Sequence, residues 1–226
     1  MTPQSVRPEV LRALQTLNTP TVANAIETFD IRPRSTGFMS SDVRCALPNL
    51  GVMIGYAATA KIRATLKPEP GAAVERRKMW EHILSIPEPR VVVIQDLDEM
   101  PIGSFWGEVN ANIHRALGCV GTVTNGGVRD LDEVEALGFH LFAGHIQVSH
   151  AYVHVVEVGT PVEVGGMTVN PGDLLHGDKH GITDIPLDVA DRVFQAAMDV
   201  EARERRIINL CKSPDFSIDK LSELYG

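Results

Sequence analysis

The sequence predicts a mixed α/β sandwich built as a single domain over residues 1–226. Three observations carry that expectation. Apolar residues recur at helical spacing near both ends of the chain. The run Val91-Val92-Val93-Ile94 is the clearest buried strand, and two strand–helix steps follow it. After Gly144 the pattern changes to period-two β, which gives the chain a β-rich final third.

The elements follow in order. Val10, Leu11, Leu14 and Leu17 share one helical face, with Pro8 as the start signal. Asn18-Thr19-Pro20 breaks that helix, and Thr19 is expected to cap a second one, TVANAIETF, with Pro20 in its first turn. Residues 30–50 carry Pro, Gly and Ser without periodicity and read as an irregular crossing loop. Val52 to Ile62 reads as a strand rich in small residues, and 67–74 as a loop. RRKMWEHILSI forms a short helix that Pro87 and Pro89 end. YVHVVEV, PVEV, MTV and DLLHGD then alternate as short strands, punctuated by Gly165-Gly166 and Pro171-Gly172 turns. Leu187 to Leu210 closes the chain as one long helix with Val189, Val193, Ala196, Ala197 and Val200 on one face.

Composition bounds the function. With 44% hydrophobic and 22% charged residues, the 226-residue chain has enough apolar material for a full-sized core. A formal charge of −8 and the lack of a basic block argue against nucleic acid as a partner. The densest basic run, Arg203-Glu204-Arg205-Arg206, is interrupted by acid and reads as a solvated or intersubunit helix face. Cys45, Cys119 and Cys211 are odd in number and lack C-x-x-C spacing, as expected of reduced thiols in a cytoplasmic protein. Neither a signal-peptide core nor an apolar run long enough to span a membrane is present.

Chemistry concentrates in residues 107–143. Glu108 opens the predicted helix GEVNANIHRAL, whose first N–H groups lack intrahelical partners and form an anion site over Gly107-Glu108-Val109-Asn110. A small, apolar, strand-like run then ends in Asn125-Gly126-Gly127, and Arg129-Asp130 opens the next helix. Enolate chemistry needs a cation, a carboxylate that holds a metal, and free amides for an anionic substrate, and this segment supplies all three. Each residue also has a plain structural reading. Glu108 complements the dipole of its own helix, Asp130 and Glu133 form a capping box, and Arg129 is a surface arginine. Two H-x-x-x-H spacings, His150/His154 and His176/His180, fall in β or turn segments, where zinc geometry is not expected; one of these histidines could enter the cleft. Phe105-Trp106 reads as core beside a helix start, although it could also shape the pocket. The chain has no phosphate loop, and no lysine near the segment for a Schiff base.

The segment resembles one family. WGE at 106–108, twenty residues, then Arg129-Asp130 and Glu133 is similar to the pattern of the RraA-like proteins, which include the class II 4-hydroxy-4-methyl-2-oxoglutarate (HMG) aldolases. TPTVANAIETF, IGYAATAKI and VGTPVEVGGMTVNPGDLLHGDKHGITDIP extend the resemblance over roughly residues 10–205. It implies a swivelling β/β/α sandwich and a ring-shaped trimer or hexamer with sites at subunit interfaces. It implies a catalytic set of Arg129, Glu108 and Asp130, with Asp130 holding Mg²⁺ (or Mn²⁺) partly through waters. Arg129 would contact the keto or enolate oxygen, and Gly107, Glu108, Val109 and Asn110 would complete the substrate site. The HMG-aldolase pattern has aspartate where Glu108 stands and glycine where Ser104 stands, and the family often has aspartate at Asn24. Glu201 and Glu204 are candidates for an acid that a neighbouring subunit contributes. The implied reaction is cleavage of a 4-hydroxy-2-oxo acid to pyruvate through its enolate, with oxaloacetate decarboxylation as a related activity. The alternative is a non-catalytic regulator of ribonuclease activity. Those regulators lack the acid directly after the arginine, and Asp130 is present here.

Overall fold

The computed structural model describes residues 5–225. The chain begins with two helices, α1 (Pro8–Leu14) and α2 (Thr19–Glu27), each with proline in its first turn. The cap of α2 differs from expectation. Asn18 Oδ1 accepts from the Thr21 amide at 2.9 Å, whereas Thr19 is buried and engaged elsewhere. Its hydroxyl lies 3.0 Å from His176 Nδ1 and its N–H donates to Asp178. Within the crossing loop lies a two-residue strand, β1 (Arg44–Cys45).

The parallel core consists of β2 (Met53–Arg63), β3 (Arg90–Asp96), β5 (Cys119–Val128) and β6 (His140–Ile146). Between these strands run α3 (Arg76–Ser85), β4 (Ser104–Trp106), α4 (Glu108–Ala116) and α5 (Leu131–Leu137). The final third adds β7 (His154–Val158), β8 (Val162–Val164), β9 (Met167–Val169), β10 (Leu174–Asp178) and β11 (Gly181–Ile185). The main sheet runs β1-β6-β5-β3-β2-β10-β11, with β4 added to β5 and β7 added to β2.

Three layers result, because both faces of the sheet are apolar. On one face Val92, Ile94, Tyr56 and Leu141 pack against the helices. On the other, Val91, Val93, Met53 and Leu175 pack against Val162, Val164, Met167 and Val169 of the separate β8–β9 hairpin. Period two within β3 explains why one unbroken apolar strand serves both layers. This is the β/β/α order that the resemblance implied.

The closing helix α6 (Ala190–Cys211) buries Ala190, Val193, Ala197 and Val200, and its Arg203–Arg206 run is exposed. A further helix, α7 (Ile218–Tyr225), was not expected from the sequence.

Candidate active site

β5 does not stop at Asn125-Gly126-Gly127 but continues through Val128, with its pairing to β6 shifted between Thr124 and Gly127. Asn125 helps bridge to β3: its side chain accepts from the Asp96 N–H at 2.7 Å and donates to the Asp96 carbonyl at 2.9 Å. The glycines serve close approach rather than a turn. A Cβ on Gly127 would lie 2.5 Å from Gln147 and 3.0 Å from the Gly103 carbonyl oxygen. Buried Ser104, which stands in the family's glycine position, ties β4 to β5 by donating to the Trp106 and Gly127 carbonyls.

The strand delivers Arg129, whose N–H donates to the Trp106 carbonyl at 3.0 Å, and then Asp130. Asp130 adopts the left-handed backbone conformation, φ 55° and ψ 47°, which aspartate tolerates better than most residues. It does not cap α5 with its side chain, so the expected capping box is not formed. Instead Asp130 Oδ2 accepts from the Glu108 amide at 2.9 Å, with Arg129 Nε 3.8 Å away. Gly107 makes this approach possible, since a Cβ there would stand 2.4 Å from Asp130 Oδ2 and 3.2 Å from Arg129.

The Arg-Asp step is therefore packed against the start of α4. Glu108 spends its N–H on Asp130. Among the described residues, the next two amides, Val109 and Asn110, donate to no protein acceptor, so they remain available at the positive end of the helix. The Asn110 side chain donates to the Phe105 carbonyl at 2.5 Å and fixes the turn.

Gly107, Val109, Asn110, Arg129 and Asp130 all line one cavity of about 370 Å³. Glu108 is the exception: its side chain is exposed and is not among the lining groups, so within one chain it acts through its main-chain amide. The sequence reading overlooked Arg76 and Tyr152, which also line the cavity. Arg76 reaches it because the Val74 N–H donates to the Val155 carbonyl at 2.8 Å, docking the start of α3 on β7. Neighbouring Arg77 instead pairs with Glu81 in solvent at 2.7 Å. The RRK run carried no signal that would have separated these two arginines.

His150 and His154 also line the cavity, which realises the entry from the β-rich third. His176 is different, because it is buried between Thr19 and the Leu14 carbonyl and pairs with no metal-binding neighbour. Trp106 is fully buried with His114 and Phe139 as ring neighbours, whereas half-buried Phe105 forms part of the cavity wall. Burial depresses the His114 imidazole to about 4, so it stays neutral. All three cysteines are free, and desolvation pushes the Cys119 thiol up to about 12, which makes it inert.

Among the described residues, no group of three or more His, Cys, Asp or Glu could hold a metal ion. What the cavity offers is the single hard carboxylate of Asp130, already oriented by the Glu108 amide. That donor set suits Mg²⁺, which keeps several waters and accepts one or two carboxylates, and does not suit an all-protein cage. Among the described residues, no helix is long and apolar enough to cross a membrane.

Fold and site together define a β/β/α domain with an arginine–aspartate step facing a helix N-terminus. The chain belongs to the RraA-like family: the family model, described as Aldolase/RraA, matches residues 19–183. A Halalkalibacterium halodurans protein named "Putative 4-hydroxy-4-methyl-2-oxoglutarate aldolase" is 34% identical over 124 residues, 53% of this chain and 59% of that protein. The match therefore spans about three fifths of that relative's length. Among solved structures, an uncharacterized protein from Pseudomonas syringae pv. tomato superposes with a TM-score of 0.74 at 24% identity, covering 100% of this chain and 96% of its own. Streptomyces coelicolor RraAS2, described as an unusual member of the RNase ES inhibitor RraA family, gives a TM-score of 0.70 at 20% identity, covering 89% and 96%. At these identities the two structures establish the fold.

Proposed function

We propose that this protein is a divalent-metal-dependent lyase that cleaves 4-hydroxy-2-oxo acids of the HMG type to pyruvate through a pyruvate enolate. Oxaloacetate decarboxylation, which yields the same enolate, would be a second activity of the same site. The observation that carries this reading is the arrangement of Asp130. Its carboxylate is turned away from its own helix and held by the Glu108 amide, beside Arg129 and in the same cavity as open helix amides.

The roles follow from charge. The substrate's C1 carboxylate sits on the Val109 and Asn110 amides, where the helix dipole favours an anion. Arg129 donates to the keto oxygen and stabilises the negative charge that develops there as the enolate forms. Mg²⁺ or Mn²⁺, held by Asp130 and waters, would supply Lewis-acid stabilisation of that same charge. Arg76, unpaired among the described residues, would face the second carboxylate of a dicarboxylic substrate. No lysine lines the cavity, in keeping with a metal-type rather than a Schiff-base aldolase.

A homotrimer or homohexamer belongs to the proposal. Exposed Val109, Val148 and Tyr152 at or beside the cavity support a covering partner copy. Such a copy would bring an acid, for which exposed Glu204 or half-exposed Glu201 is available. Free thiols throughout fit a cytoplasmic setting.

The test is pyruvate release from HMG and from oxaloacetate, with Mg²⁺ or with EDTA, by the wild type and Asp130→Ala. Metal-dependent turnover that falls about 10²–10³-fold in the variant is the expected result. An intact, metal-supplied oligomer that releases pyruvate from neither substrate would sink the lyase reading. The non-catalytic regulator would then take its place.

A further inference from the structure

We propose that His154 is the base that removes the proton from the substrate's C4 hydroxyl, an assignment that rests on the lyase reading above. His150 and His154 belong to no group of three or more metal-ligating side chains among the described residues, yet both residues line the cavity that Arg129 and Asp130 share. Their tautomers are set by the backbone. His154 Nδ1 lies 2.8 Å from the Tyr152 carbonyl oxygen, and a carbonyl only accepts. Nδ1 is therefore the donor, which leaves Nε2 as the ring atom that can offer a lone pair to a substrate proton.

The placement of His154 is fixed from several sides. It opens β7, where it pairs with Arg63 of β2, and it is half-buried. The Tyr152 carbonyl that orients it is itself anchored, because the Tyr152 N–H donates to the Ala64 carbonyl at 3.0 Å. Ala151 turns the chain at φ +46°, a left-handed conformation that alanine rarely adopts and that clusters at functional sites. His150 has a similar Nδ1 contact, 2.7 Å to the Ala151 carbonyl, but it stands on the exposed loop. A group on a strand is held more tightly than one on a loop, which selects His154.

The step balances without an outside reagent. Nε2 takes the C4 hydroxyl proton, and the O–H electron pair becomes the second C–O bond of the departing carbonyl product. The C3–C4 bond breaks, and its pair enters the enolate beside Arg129. The imidazolium then returns the proton to C3, which releases pyruvate and restores the neutral ring. Oxaloacetate decarboxylation breaks a C–CO₂ bond and has no C4 hydroxyl to deprotonate. The two reactions thus depend on His154 unequally.

The experiment compares HMG cleavage with oxaloacetate decarboxylation in the wild type, His154→Gln and His150→Gln, and reads the tautomer of His154 by ¹⁵N NMR of the wild-type protein. The expected result is a proton at Nδ1 and a fall of about 10²-fold or more in the cleavage-to-decarboxylation ratio of His154→Gln, the size of a general-base contribution. Equal loss of both reactions, the same ratio change in His150→Gln instead, or a proton at Nε2 would each overturn the assignment while leaving the enolate site standing. A wild type inert toward both substrates would remove the lyase reading and this assignment with it. The NMR measurement needs no variant, so it stands even if His154→Gln does not fold.

Discussion

The Asp130 carboxylate accepts a hydrogen bond from the Glu108 amide at 2.9 Å, so the start of one helix orients the acid that opens the next. This relationship separates two roles of Glu108 that the sequence merges. Its side chain is exposed outside the cavity lining, whereas its main-chain N–H holds the proposed metal ligand. Glu108 is the first residue of α4, where proline is tolerated because the missing N–H breaks no helical bond. Glu108→Pro should therefore keep the helix but release Asp130. We expect its Mg²⁺ requirement to rise about 10-fold or more, following the ~1.5–3 kcal/mol of a charge-assisted hydrogen bond. Glu108→Gln, which retains the amide, should shift it much less. Metal titrations of pyruvate release, with circular dichroism to follow the helix, distinguish the two. Equal effects of both variants would return the role to the carboxylate.

Gly107 is the second half of the same device. A Cβ at this position would lie 2.4 Å from Asp130 Oδ2, nearer than real Cβ contacts come, with Arg129 at 3.2 Å on the same side. Gly107→Ala must displace the carboxylate, the guanidinium or both. The expected outcome is a loss of about 10²-fold or more in kcat/KM, because sub-ångström placement of charge would govern stabilisation of the proposed enolate. Unfolding by urea should show a much smaller change than the kinetics. Full activity in Gly107→Ala would mean that the Arg-Asp step tolerates movement and is not the reacting centre.

Much of this was legible in the sequence because the relevant signals are local. The apolar run of β3, the proline starts of α1 and α2, and the period-two strands after Gly144 depend on near neighbours, and all are realised. The Gly-Glu and Arg-Asp steps were legible as a pair through the family pattern. What the sequence hid depends on distant partners. Asp130-Leu131-Asp132-Glu133 satisfies the rule for a capping box, but the left-handed turn at Asp130 gives its oxygen to an amide 22 residues upstream. Thr19 satisfies the rule for a cap, but Asp178 and His176, nearly 160 residues away, claim it and leave capping to Asn18. Arg76 and Arg77 are indistinguishable in composition. A single backbone hydrogen bond, from Val74 to Val155, helps decide which one faces the cavity.

That contrast yields a prediction about substrate length. If Arg76 meets the distal carboxylate, Arg76→Gln should raise KM for HMG about 10–100-fold, with a smaller change in kcat, because a uniform binding contact is lost. Arg77→Gln is the matched control, since its partner Glu81 lies on the solvent side of the same helix. A solvent-screened surface pair of that kind contributes little, so its kinetics should stay near wild type. Steady-state kinetics at a single ionic strength checks this. Parallel behaviour of the two variants would assign the effect to net charge rather than to a contact.

The buried histidines make the fold sensitive to acid, with a sign that can be worked out. Burial depresses both His114 and His140 to about 4, against an ordinary value of 6.5. Above pH 6.5 both are neutral in the folded and unfolded chains, and their contribution to stability is fully present. Below it the unfolded chain takes up protons that the folded chain refuses, so stability falls by about 1.4 kcal/mol per pH unit for each ring until pH 4. His114 lies with its ring centroid 4.7 Å from Trp106 and 6.1 Å from Phe105, a site that a phenyl ring matches in shape. His114→Phe should therefore unfold in urea much like the wild type at pH 7 and become the more stable of the two at pH 5, by about 2 kcal/mol for one ring removed from the linkage. The same difference at both pH values would show that His114 takes up its proton in the folded state, and that the ring is open to solvent in a way its burial does not allow.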